Sequence, residues 1–209
     1  VKDAGRYREE RYKHAVNVAS GLFLEKGIDG VKMTDIADNC GIGVASLYRF
    51  FETKTEIVIR AGIIIWDKIR EDFMNYVSED KGKTGLENLK YALEFYRKLY
   101  EDHKDFIKFL DDFDQLMLSE KVEKKRLSDY EKSIVNFSEP FKEAVEKGRQ
   151  DGSVRKDVDV SEVYMAVTHA LIAVCQKYIR GEILPKDDFS LAEKEIEMIL
   201  EITAAYLAA

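Results

Sequence analysis

Apolar residues return every three or four positions along most of this chain, the spacing of one face of an α-helix. Tyr12, Ala15, Val16, Ala19, Leu22 and Phe23 form the first such face, and Gly27 is placed to end that helix. After a short connection, Thr34 stands where an N-cap belongs, its hydroxyl free to accept from an amide in the next turn. The helix it opens turns Ile36 and Ala37 inward and ends near Cys40-Gly41. Ile42-Gly43-Val44 separates it from a helix running from Ala45 to Phe51. Two short helices joined by a few residues with a glycine at the turn make a helix-turn-helix.

The remainder is helical in the same way. Thr53 and Glu56 read as a capping box that opens a long helix through Trp66, Ile69, Phe73 and Tyr76. Asp80 to Gly85 is a polar loop, and Thr84 with Glu87 forms a second capping box before Leu89, Leu93, Tyr96 and Tyr100. His103 to Leu118 predicts one or two short helices, and Glu120 to Lys147 a long charged one in which Pro140 makes a kink or break. Asp159 with Glu162 and Ser190 with Glu193 cap the last two helices. Both are apolar on more than one side, whereas a surface helix needs a single apolar stripe. A second copy packing helix pair on helix pair would cover the surplus, as would a central position in a monomer. The homodimer reading assigns Val163, Val167, Leu171, Val174, Ile196, Ile199, Leu200 and Thr203 to the interface.

Only two prolines interrupt 209 residues, which agrees with an all-α chain. The net charge of −7 speaks against nucleic acid only until its distribution is read. Residues 1–54 hold 9 Lys and Arg against 8 Asp and Glu, so the acidity lies in the remainder, and any DNA contact near the N-terminus rests on a few placed cations. Cys40 and Cys175 stand alone, without the spacing of a disulfide framework. The apolar run from Ile57 to Trp66 is broken by Arg60, too short to span a bilayer. With no signal peptide visible, the expected location is the cytoplasm. Histidines 14, 103 and 169 have no metal-ligand spacing, and no phosphate loop or nucleophile motif appears, so no metal, cofactor or enzymatic activity is expected.

The stretch from Gly27 to Ile57 carries the function: Gly27, Thr34-Asp35-Ile36-Ala37, Gly41-Ile42, Leu47-Tyr48, Phe51 and Lys54, in that order and spacing. It resembles the DNA-binding domain of the TetR family of transcriptional repressors. The resemblance implies an N-terminal three-helix domain over 1–53 that binds double-stranded operator DNA. It also implies a larger helical domain over 54–209 that senses a small molecule and dimerises. Val44, Ala45, Ser46 and Arg49 fall at the front of the recognition helix, where side chains reach base edges. By resemblance, Tyr48 gives its hydroxyl to a backbone phosphate and Lys54 pairs with another, while Thr34 reaches phosphate from the start of its own helix. Lys32, Arg6, Arg8 and Arg11 add positive potential nearby. The sequence departs from the family pattern at Gly43, Ala45 and Phe50, which leaves the recognition helix unusually apolar.

The resemblance also implies a ligand pocket in the later helices, and their many aromatics suit a largely apolar effector. Trp66, Tyr96, Tyr100, Phe109, Phe113 and His169 are the side chains expected to touch it. The implied mechanism is a repressor that leaves its operator when the effector binds, with the long helix from Lys54 as the lever. A ligand-dependent activator and a helical scaffold without DNA binding are the alternatives.

Overall fold

The computed structural model describes residues 2–79, 84–135, 137–181, 184 and 186–209, with the backbone alone at 2–4, 79 and 135. Residues 80–83 of the loop expected from Asp80 to Gly85 therefore lie outside the described residues. The regular structure is helical: α1 Lys2–Lys26, α2 Met33–Asn39, α3 Val44–Tyr48, α4 Lys54–Glu79, α5 Gly85–Asp102, α6 Lys104–Ser119, α7 Ser128–Val135, α8 Ser138–Asp151, α9 Val160–Ile179 and α10 Ala192–Leu207, with short 3₁₀ turns at Lys124–Leu127 and Phe189–Leu191. The all-α expectation holds.

Two compact units divide the chain, Val1–Ile69 with Lys108–Ile134, and Arg70–Ile107 with Val135–Ala209. The chain passes between them inside α4 and again inside α6. In the first unit Ala15, Val16, Ala19, Leu22 and Phe23 of α1 are all buried, as their spacing requires. Ile36, Ala37, Leu47, Phe51, Ile57, Ala61 and Ile65 are buried in the same unit. Gly27 closes α1 with a φ of 75°, and Gly41 makes the turn between α2 and α3 with a φ of 64°. Gly62 faces the Tyr130 ring so closely that a Cβ there would lie 2.7 Å from it.

In the second unit α5 packs against α8, α9 and α10. Gly85 meets the Gly148 backbone so closely that a Cβ on Gly85 would overlap it, and a Cβ on Gly148 would run into the Val154 side chain. Phe73 and Phe137 stack with centroids 5.6 Å apart, and Phe73 also meets Phe95 at 5.0 Å.

Several element boundaries differ from expectation. Thr34 is not the N-cap of α2: Lys32 is, and its amide donates to the Asp35 carboxylate at 2.7 Å, which leaves Thr34 exposed in the first turn. Thr53 does accept from the Glu56 amide at 3.2 Å, but the Glu56 carboxylate takes the Glu52 amide at 2.9 Å instead of closing the box. Thr84 and Glu87 form the full box. Residues 103–118 yield one helix, α6. The long helix expected over 120–147 is instead a 3₁₀ turn followed by α7 and α8. Lys121 turns left-handed, with a φ of 49°, and ends α6. Pro140 does not make the break, because it sits in the first turn of α8, where its missing N–H has no partner to lose. Asp159 caps α9, accepting from Ser161 and Glu162 at 2.8 and 3.0 Å. Ser190 does not cap α10. It is held within the preceding turn by Asp188, whose carboxylate takes both its amide and its hydroxyl.

Candidate nucleic-acid interface

α3 begins at Gly43, whose extended backbone makes it the N-cap, and the amides of Ser46 and Leu47 return to its carbonyl at 2.8 and 3.2 Å. With no side-chain oxygen at the cap, the turn is held by the backbone alone. Leu47 is the one fully buried residue of α3 and pins it to the core. The rest of the helix is thereby turned outward. Ala45 and Arg49 are exposed, Tyr48 is 48% exposed, and Val44 and Ser46 are half-buried. At that exposure Tyr48 is no part of the core. Arg49 donates through Nη2 to the Ser46 hydroxyl at 2.7 Å, so these two polar side chains are held as one group.

Tyr12 fixes the far end of the motif. Its ring stacks on Phe51 at 4.8 Å and meets Phe50 edge-on at 6.2 Å. Phe50 therefore serves packing against α1, a use for an apolar ring where a polar one was expected. Lys54, at the first position of α4, is half-buried. Burial pushes its ammonium below the usual lysine range, while the carboxylates of Asp29 and Asp35 pull it back up. Thr34, Val44, Ala45, Ser46, Tyr48, Arg49 and Lys54 all belong to the first unit, as the sequence motif requires.

Asp112 is one of several acidic residues on α6. Its Oδ2 lies 3.1 Å from the Ile28 amide, tying the connection between α1 and α2 to α6 within the same unit. Nothing in the local sequence of either residue marks this pairing, because 84 positions separate them.

The six residues expected to touch an effector are divided between the two units. Trp66, Phe109 and Phe113 belong to the first unit, where the Trp66 indole donates to the Tyr130 hydroxyl at 2.9 Å and Phe113 stacks on Tyr130 at 4.2 Å. Tyr96 and Tyr100 belong to the second. There the Tyr96 and Tyr164 hydroxyls are hydrogen-bonded to each other, and burial raises the Tyr96 phenol well above its ordinary range. His169 is exposed on α9, four residues from Met165 and from Ala173 on the same outward face, and so lines no interior. Among the described residues, no group of three or more His, Cys, Asp or Glu is placed to hold a metal ion.

The interface assignment on α9 and α10 also changes. Val167, Leu171, Ile196, Leu200 and Thr203 are buried within their own chain, and Val163, Val174 and Ile199 are half-buried. The outward stripe is the other one: Met165, Ala166 and Ala173 on α9, with Met198, Ile202 and Ala205 on α10. Both stripes were visible in the sequence, but spacing does not say which of two apolar stripes faces the chain's own core.

Known proteins share the motif and the fold. The family model of bacterial regulatory proteins of the tetR family matches residues 15–61, from α1 into α4. The HTH-type transcriptional repressor KstR2 of Rhodococcus jostii (strain RHA1) is 25% identical over 196 residues, spanning 91% of this chain and 90% of that protein. The structure of the ketosteroid transcriptional regulator KstR2 of Mycobacterium tuberculosis shares the fold with a TM-score of 0.59 at 21% identity, over 95% of each chain. AibR, solved in complex with isovaleryl coenzyme A and operator DNA, aligns with a TM-score of 0.55 at 17% identity, over 95% of this chain and 98% of its own.

Proposed function

We propose that this chain is a DNA-binding transcriptional regulator of the tetR family, a repressor released from its operator by a small, largely apolar effector. The observation that carries the reading is the outward face of α3, where Tyr48 and the Ser46–Arg49 pair stand clear of the core on a turn held by Leu47. Val44 and Ala45 offer apolar contact to base edges, Arg49 offers a forked donor, and Tyr48, Lys54 and Thr34 serve the phosphates. Repression is supported by the likeness to the HTH-type transcriptional repressor KstR2 of R. jostii, and a small-molecule ligand by the likeness to AibR, solved with isovaleryl coenzyme A and operator DNA. Residues 1–53 act as the DNA-binding part and 54–209 as the sensing and dimerising part. The protein works as a homodimer in the cytoplasm and catalyses no reaction. No helix among the described residues is long and apolar enough to cross a membrane. Operator and effector are then linked reciprocally, with a coupling of about 1–3 kcal/mol.

The test is to select bound fragments from the source genome with the purified protein. A short inverted repeat near a gene start is expected, and Tyr48→Phe should weaken binding to it about fivefold, the worth of one hydrogen bond of about 1 kcal/mol. A reporter behind that repeat should be silenced by the protein. Activation of the reporter would reverse the sign of the proposal. Recovery of nothing above background, even at low salt, would leave a scaffold.

A further inference from the structure

α1 sorts its charges by face. Arg6 donates to Glu10 at 3.1 Å and Lys13 to Glu9 at 2.8 Å, each pair four residues apart, so both cations are balanced within the helix. Arg8 and Arg11 make no ion pair among the described residues. The Arg11 guanidinium lies 4.9 Å from the centre of the exposed Tyr7 ring. Arg8, Arg11 and Tyr7 share a cleft of about 480 Å³ with Ser46, Arg49 and Phe50. Three guanidiniums thus meet at one concavity, two from α1 and one from the end of the recognition helix, with no carboxylate among the lining residues.

Resting on the DNA-binding reading, we infer that Arg8 and Arg11 form a second part of the interface, a clamp on the DNA backbone beside the groove that α3 enters. Phosphate matches the forked donors of guanidinium, and like charges gathered around one opening are relieved by an anion between them. The clamp accounts for how a first quarter of nearly balanced charge binds a polyanion. Glu10 and Glu9 are committed to Arg6 and Lys13, and Arg8 and Arg11, the two cations beside α3, are left without such a partner among the described residues. Such contacts hold register and carry no sequence preference of their own.

The experiment compares wild type, R8A/R11A, R8K/R11K and R6A/K13A. Affinity is measured against salt on a genomic fragment that the protein selects and on a shuffled duplex of equal length. Each phosphate contact contributes about 0.9 to the slope of log affinity against log salt. R8A/R11A should flatten the slope by about two and weaken both duplexes alike. R8K/R11K, which keeps the charges, should restore most of it, and R6A/K13A should change the slope little. All four substituted side chains are on the surface, and an unchanged thermal midpoint checks the fold. An unchanged slope in R8A/R11A beside a steep one in wild type overturns the clamp and leaves the DNA-binding reading intact. So does an equal loss in R6A/K13A, which would mean general charge, or a loss confined to the selected fragment, which would mean base reading. Absence of any salt-dependent binding by wild type removes both the reading and the clamp.

Discussion

At the scale of single residues, the contact between Asp112 and Ile28 decides whether the connection entering the helix-turn-helix stays closed. Ile28 is buried, so its amide has little water to turn to if the carboxylate is removed. Asp112→Ala should therefore cost about 1–3 kcal/mol in urea unfolding, the penalty for an unmade buried hydrogen bond, while Asp112→Asn, which keeps an acceptor, should cost distinctly less. The two thiols differ in the same physical way. Cys175 is fully buried and its thiol is pushed up to about 12 by burial, whereas Cys40 is half-buried and raised less. At pH 8 a disulfide reagent should titrate Cys40 in the native protein and Cys175 only with unfolding, because the thiolate is the nucleophile. A native protein in which Cys175 reacts as fast as Cys40 would contradict that burial. Tyr48 and Arg49 were legible because the motif is local and ordered. Asp112 was not, because its partner is remote in sequence and an acid on a helix reads the same whether it faces water or an amide.

Among the elements, caps were legible where one hydroxyl and one acid had no rival. Thr84 and Glu87 close around the start of α5, and Thr84→Ala should cost about 1 kcal/mol by thermal or urea unfolding. Thr34 lost the corresponding place on α2 to the bond between Asp35 and the Lys32 amide, so Thr34→Ala should change stability by no more than about 0.5 kcal/mol. If it also weakens DNA binding, its role belongs to the interface and not to the fold. Ser190 lost its place to Asp188 in the same way, a carboxylate being the stronger acceptor. The span after Glu120 misled for another reason. Its composition favours helix throughout, and nothing in the local pattern marks Lys121 as the residue that turns left-handed.

For the molecule as a whole, one apolar stripe of α9 and α10 is buried in the chain's own core and the other is exposed. Leu171→Ala should cost about 2–5 kcal/mol of stability, as a fully buried leucine does, without a specific effect on association. Met165→Glu with Ile202→Glu should leave the fold in place and give monomers in sedimentation, because both side chains point away from the core. A dimer that survives this pair would move the interface elsewhere. The lone tryptophan adds a practical consequence. Trp66 is the single indole of the chain, half-buried in the first unit with its N–H held by Tyr130, so all tryptophan emission reports from that unit. Far-ultraviolet ellipticity, by contrast, sums over every helix, most of α8, α9 and α10 included. Melting followed by both would show directly whether the two units come apart together: one shared midpoint means a single cooperative body, and an emission change that precedes the loss of ellipticity means that the DNA-facing unit opens first.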